Sequence, residues 1–138
     1  MRFMILVKAT RETERGVMPG VALIASMAEF LEHLAKAGVL LVASGLQPSA
    51  KGWRVRYDGD QRSVVDGPFA EAKELVAGYT MIQTRSRDEA LEWARRFPNP
   101  AVDGDVAEIE VRQLYDLEDF APSQSIERFC AIGTGNDR

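Results

Sequence analysis

Asp66-Gly67-Pro68-Phe69-Ala70-Glu71-Ala72-Lys73-Glu74 joins two strand-like stretches, Gln61 to Val65 before it and Leu75 to Thr84 after it. Proline disfavours the helical region for the residue before it, so Gly67 is expected to be extended or in a special conformation. Pro68 itself suits the first position of a helical turn. The Asp66 carboxylate is then placed to accept backbone N–H groups just after Pro68, as in an Asx turn. Phe69 is turned aside into apolar contact. Ala70 to Glu74 has high helix propensity but is too short for more than one or two turns. The run is therefore read as a strand-ending turn that leads into a central strand.

Working outward, Leu75 to Thr84 is apolar on both faces, with Val76 and Ile82 set against Leu75, Ala77, Tyr79 and Met81. Arg2 to Lys8 behaves likewise, with Phe3, Ile5 and Val7 on one face and Met4 and Leu6 on the other, as in a central strand covered on both sides. A chain this short has helices for one face only, and a partner subunit is the simplest cover for the second. Val21 to Ala37 carries Leu23, Met27, Phe30, Leu31 and Leu34 at helical spacing, and Gly38 suits the position just past a helix end. Val39 to Gln47 is a second strand in which Ser44-Gly45 marks a bulge or a close backbone approach. Trp53, Val55 and Tyr57 alternate with Arg54 and Arg56, as in a half-buried strand, and Asp58-Gly59 signals a hairpin. Ser86-Arg87-Asp88-Glu89 has the spacing of a capping box and opens a helix that Pro98 stops. Val106 to Leu114 reads as a strand with one wet face.

The fold class is therefore α+β, a ferredoxin-like β-α-β-β-α-β plan with an extra β-hairpin. Thr10 to Gly20 is read as a loop and Pro122 to Ser125 as a linker. Residues 116–138 form a C-terminal extension that Leu117, Phe120, Ile126 and Phe129 would pack on the body or on a partner subunit. Its last six residues are expected to be flexible.

A chain of 138 residues, 46% hydrophobic, makes one domain with one core. Its net charge of -4 and pI near 5.1 exclude the basic footprint that nucleic acid requires, and they disfavour an anionic membrane surface. The apolar run Phe3 to Val7 is too short to span a membrane or to drive secretion, so a cytoplasmic location is expected. Cys130 is the only cysteine and His33 the only histidine, so neither a disulfide nor an ordinary zinc site is expected. His33 falls on the polar flank of its helix and reads as a surface residue. Gly-x-Gly-x-x-Gly, P-loop and Gly-x-Ser-x-Gly motifs are absent, and no cofactor is expected.

Two readings of Asp66 follow from the residues. It is a turn cap, or it is a general acid or base at the rim of a cavity. A carboxylate holding several N–H groups acquires a lowered pKa, which suits anchoring better than proton abstraction. Lys73 is the nearest cation and a candidate for holding an anionic ligand.

Over residues 1–115 the chain resembles the DGPF branch of the YCII-related proteins. The resemblance is carried by Met4-Ile5-Leu6-Val7, by Ala37-Gly38-Val39-Leu40 and Gly45-Leu46-Gln47-Pro48, and by Val65 to Glu74. Gly78-Tyr79 and Asp88 to Ala94 continue it in order. The resemblance implies a dimeric α+β barrel, in which two ferredoxin-like sheets pack face to face around a cavity. It implies a homodimer that binds a small organic ligand, aromatic or apolar, with Met4, Leu6, Met27, Ser44, Gln47, Phe69, Lys73 and Tyr79 as ligand-binding residues. If catalytic, such a protein is expected to be a cofactor-free lyase or isomerase with Asp66 as its proton carrier. Many relatives pair a first-helix histidine with an aspartate, and here Met27 stands at that place. The alternative implied by the resemblance is a non-catalytic regulatory module associated with a protein partner such as an alternative sigma factor.

Overall fold

The computed structural model describes residues 1–134. β1 (Arg2–Lys8) is the strand around which the rest is arranged. It pairs antiparallel with β5 (Val76–Gln83) on one side and with β6 (Ile109–Gln113) on the other. β2 (Leu40–Gly45) adds to the far edge of β5, so the strand order is β2-β5-β1-β6. α2 (Val21–Lys36) connects β1 to β2, and α3 (Arg87–Arg95) connects β5 to β6. This is the ferredoxin-like plan read from the sequence. β3 (Trp53–Asp58) and β4 (Gln61–Asp66) form a separate two-stranded hairpin, turned at Gly59 with φ +60.

Register decides which side chains share a face, because opposed residues point the same way and neighbours alternate. Phe3 lies opposite Ile82, and Ile5 opposite Thr80. On that face Phe3, Ile5 and Ile82 pack with Phe30 and Leu34 of α2 and Ala90 of α3. The Phe30 ring meets Trp93 and Phe97 edge-on at centroid distances of 6.3 and 5.1 Å. Ile5, Leu34 and Ile82 are fully enclosed, and each such side chain stabilises the fold by about 1.5–3 kcal/mol. Met4 opposite Met81 and Leu6 opposite Tyr79 occupy the other face, which the two core helices do not touch. At the edge of that face Glu110 lies between Lys8, at 3.6 Å, and Arg112, at 3.1 Å. The Arg112 hydrogen bond, with Lys8 assisting, holds the Glu110 carboxyl below its ordinary pKa.

Several expectations change. Thr10 to Gly20 is not wholly loop, since it contains the short helix α1 (Arg11–Glu14). Thr10 and Thr13 cap it reciprocally: the Thr13 N–H donates to Thr10 Oγ1 at 3.2 Å and the Thr10 N–H to Thr13 Oγ1 at 2.8 Å. The segment read as a linker opens α4 (Gln124–Ala131), where Ser123 Oγ accepts the Ile126 N–H at 3.2 Å. The capping box of α3 closes on one side only. Ser86 Oγ accepts the Glu89 N–H, while the Glu89 carboxylate takes the N–H of Arg85, one residue further out. The last strand starts at Ile109 rather than Val106, which is 89% exposed. The hairpin is not half-buried within the chain, because every residue of both its strands is exposed.

The C-terminal extension is tied at its root. Leu117 is buried, and the buried Arg2 guanidinium donates to the Tyr115 carbonyl at 2.9 Å and to Asp116 at 3.2 Å. Phe120 and Phe129 remain exposed. Of the six end residues expected to be flexible, Gly133 and Thr134 close α4 through N–H bonds to Cys130 and Phe129. Residues 135–138 lie outside the described residues.

Candidate functional site

At the β2–β5 edge the sheet runs short of side chains on its helix-facing side. Ala43 lies opposite Thr80 and Gly45 opposite Gly78. Side chains on a helix lean over the preceding turn, and those of Leu23, Met27 and Leu31 hang above this thin floor without filling it. The result is a cavity of about 500 Å³ between α2 and the sheet. Val17, Met18 and Pro19 close one side, and Phe97, Pro100 and Val102 close another. Every residue in the walls is uncharged, and the polar ones are Thr13, Ser44, Gln47, Tyr79 and Thr80; of these, Ser44 and Tyr79 alternate with the floor residues and turn their side chains to the other sheet face. A site of this size with mostly apolar walls and few polar groups suits a small organic molecule.

The Asp66–Glu74 run lies beside this cavity and not in its walls. The Gly67–Pro68 peptide bond is cis. The Gly67 N–H donates to the Gly52 carbonyl at 3.0 Å, and the Gly67 backbone rests against the 3-10 turn Ser49–Lys51. A Cβ on Gly67 would lie 1.8 Å from the Ser49 carbonyl oxygen, so only glycine fits. The Phe69 N–H donates to Ser49 Oγ at 3.1 Å. The Ser49 hydroxyl in turn donates to Glu14, and the Ser49 N–H donates to the same carboxylate at 3.0 Å. The Arg54 guanidinium lies over the Phe69 ring at 3.7 Å. A continuous brace thus runs from the hairpin through Ser49 to α1, immediately before the 16–19 segment that walls the cavity.

This corrects the Asx-turn expectation. The N–H after Pro68 goes to Ser49 and not to Asp66, whose exposed carboxylate makes no hydrogen bond to the described residues. Ala70 to Glu74 supplies only a 3-10 turn, Ala72–Glu74.

Of the residues singled out from the sequence, Met27, Ser44, Gln47 and Tyr79 border the cavity. Met4 and Leu6 lie on the opposite sheet face. Asp66, Phe69 and Lys73 are not among its walls. His33 is exposed, as expected of a surface residue, and so is the thiol of Cys130. The described residues contain no group of three or more His, Cys, Asp or Glu that could hold a metal. No helix among them is long and apolar enough to cross a membrane. Sequence reasoning missed Thr80, Gly45 and Gly78 as cavity residues. The available signal was the alternation Gly78-Thr80-Ile82, which puts a glycine and a hydroxyl on the same face as core isoleucine.

Comparison with known proteins identifies the family. The profile of the YCII-related domain matches residues 1–115. An uncharacterized protein of Rhizobium meliloti (strain 1021) is 39% identical over 64 residues, which are 46% of this chain and 52% of the relative. The match therefore spans about half the length of that curated relative. Among solved structures, a 5-chloro-2-hydroxyhydroquinone dehydrochlorinase from Burkholderia phenoliruptrix AC1100, in complex with 2,5-dihydroxybenzoquinone, aligns with a TM-score of 0.45 and 14% identity. That alignment covers 84% of this chain and 95% of the dehydrochlorinase.

Proposed function

The chain belongs to the YCII-related family, and from that premise we propose that it binds a small, largely apolar or aromatic organic molecule between α2 and its sheet. One observation carries this reading. The cavity of about 500 Å³ is walled by neutral side chains and floored by Ala43, Gly45 and Gly78, where packing alone would favour larger residues. A thermal-shift screen against uncharged aromatic and alicyclic compounds tests it, because a ligand that binds only the folded state raises Tm by mass action. A dose-dependent rise is expected. A flat response across a broad panel overturns the reading.

The working form under this proposal is a homodimer. Met4, Leu6, Tyr79 and Met81 form an apolar stripe on the sheet face that α2 and α3 leave alone, and a second copy is the simplest cover. Sedimentation at micromolar concentration is expected to give twice the 15.3 kDa chain mass. A single 15.3 kDa species contradicts the dimer.

A second reading, a regulatory module that engages another protein, draws support from α4, which leaves Phe129 and Ile132 48% and 72% exposed. Under that reading deletion of residues 121–138 weakens a co-purifying complex. A complex indifferent to the deletion removes the extension as the contact.

A further inference from the structure

Resting on the proposed ligand cavity, we infer that Thr80 is its polar anchor and that the ligand is an uncharged molecule presenting one hydroxyl or carbonyl group to it.

Thr80 is 3% exposed and lies on the helix-facing side of β5, between Gly78 and Ile82. Its across-strand neighbours on that face are Ile5 and Ala43. Its hydroxyl has no hydrogen-bond partner among the described residues, although its residue borders the cavity. The other buried threonine, Thr84, behaves as buried hydroxyls normally do and donates to the Ser86 carbonyl at 2.8 Å. Valine has nearly the shape of threonine and suits a strand as well, so packing does not require a hydroxyl here. The hydroxyl is not sealed in the core; it opens onto the cavity, where a ligand hydroxyl or carbonyl can take the place of water as its partner.

The charge of the ligand follows from the walls. No Lys, Arg or His borders the cavity to neutralise an anion and no Asp or Glu borders it to neutralise a cation; Glu14, next in the chain to the wall residue Thr13, already holds both donors of Ser49. An ion entering these walls loses its hydration without a counter-charge. Lys73, the candidate for an anionic ligand, lies outside them.

The experiment measures binding of 2-naphthol, naphthalene and 2-naphthoate to the full chain and to Thr80→Val. Wild-type protein is expected to bind 2-naphthol about tenfold or more tightly than either of the others. In Thr80→Val the preference over naphthalene disappears, naphthalene itself binds unchanged, and Tm stays close to wild type because valine keeps the shape of threonine. A variant that keeps the full naphthol-to-naphthalene ratio overturns the Thr80 assignment while leaving the cavity reading in place. Naphthoate binding as tight as naphthol overturns the assignment of an uncharged ligand. Failure of all three probes to bind wild type counts against the cavity reading itself, and the Thr80 assignment falls with it.

Discussion

Gly45 of β2 stands directly opposite Gly78 of β5, and this side-chain-free pair sits at the floor of the cavity beneath α2. The two glycines are not equivalent. A Cβ on Gly78 would come within 3.1 Å of the Ser44 carbonyl oxygen, whereas one on Gly45 would meet nothing closer than 4.0 Å. Gly45 is therefore free to carry a side chain that occupies the empty space. Gly45→Val is expected to keep the fold, with Tm unchanged or slightly raised, and to weaken ligand binding at least about tenfold by filling volume. Circular dichroism and calorimetric titration check the two halves. Undiminished affinity in a folded Gly45→Val protein would show that the ligand sits elsewhere.

Gly67 is held by a different constraint. The Ser49 carbonyl occupies the position a Cβ would take, and backbone on both sides leaves no flexible atom to yield. Gly67→Ala is expected to destabilise the chain by about 1–3 kcal/mol, in the range of forced overpacking. Urea denaturation measures it. A loss below a few tenths of a kcal/mol would mean that the Asp66–Phe69 turn does not rest on Ser49.

Ser49 links three segments at once, through bonds to Glu14 and from Phe69. Ser49→Ala removes the acceptor for the Phe69 N–H and one donor to Glu14, at a cost of about 1–3 kcal/mol. Glu14→Gln in the Ser49→Ala background should cost less than in wild type, since the shared bond is already gone. Hydrogen exchange is expected to quicken in residues 10–20 of either variant, including the 16–19 wall of the cavity. Strict additivity, with unchanged exchange there, would contradict a common brace.

Asp66 ends β4 opposite Trp53, exposed and apart from the cavity walls. Asp66→Asn is therefore expected to bind ligand with wild-type affinity, within about twofold, and to fold with wild-type stability, as surface substitutions usually do. Calorimetric titration of the variant checks it. Abolished turnover of an identified substrate in a folded Asp66→Asn protein would instead restore Asp66 to the role of proton carrier.

What could be read from the sequence was whatever depended on local pattern. The period of two in Phe3, Ile5 and Val7, the stripe from Leu23 to Leu34, the Gly38 helix end and the Gly59 hairpin are each set by residues a few positions apart. With them came the strand order, because the ferredoxin-like connection leaves few alternatives. The cavity was harder to see. It depends on Gly45 meeting Gly78 across strands, and on which face of β5 lies under α2, neither of which is a local property. The Asp66–Glu74 run illustrates the same limit. Its turn was evident from Pro68, but the acceptor for the Phe69 N–H came from Ser49, twenty residues away in the chain. The short helix α1 was hidden for another reason: Thr10 and Thr13 cap each other, a reciprocal bond that the Ser/Thr-x-x-Glu pattern does not describe.

The most direct test of ligand binding under α2 uses the five methionines as reporters. Met18 and Met27 border the cavity, while Met4 and Met81 face each other across strands on the far side of the sheet. With methyl-13C-methionine protein, titration of a compound that raises Tm is expected to move the Met18 and Met27 signals and to leave Met4 and Met81 in place. Shifts confined to Met4 and Met81, with Met18 and Met27 unmoved, would put the ligand on the outer sheet face and contradict the account.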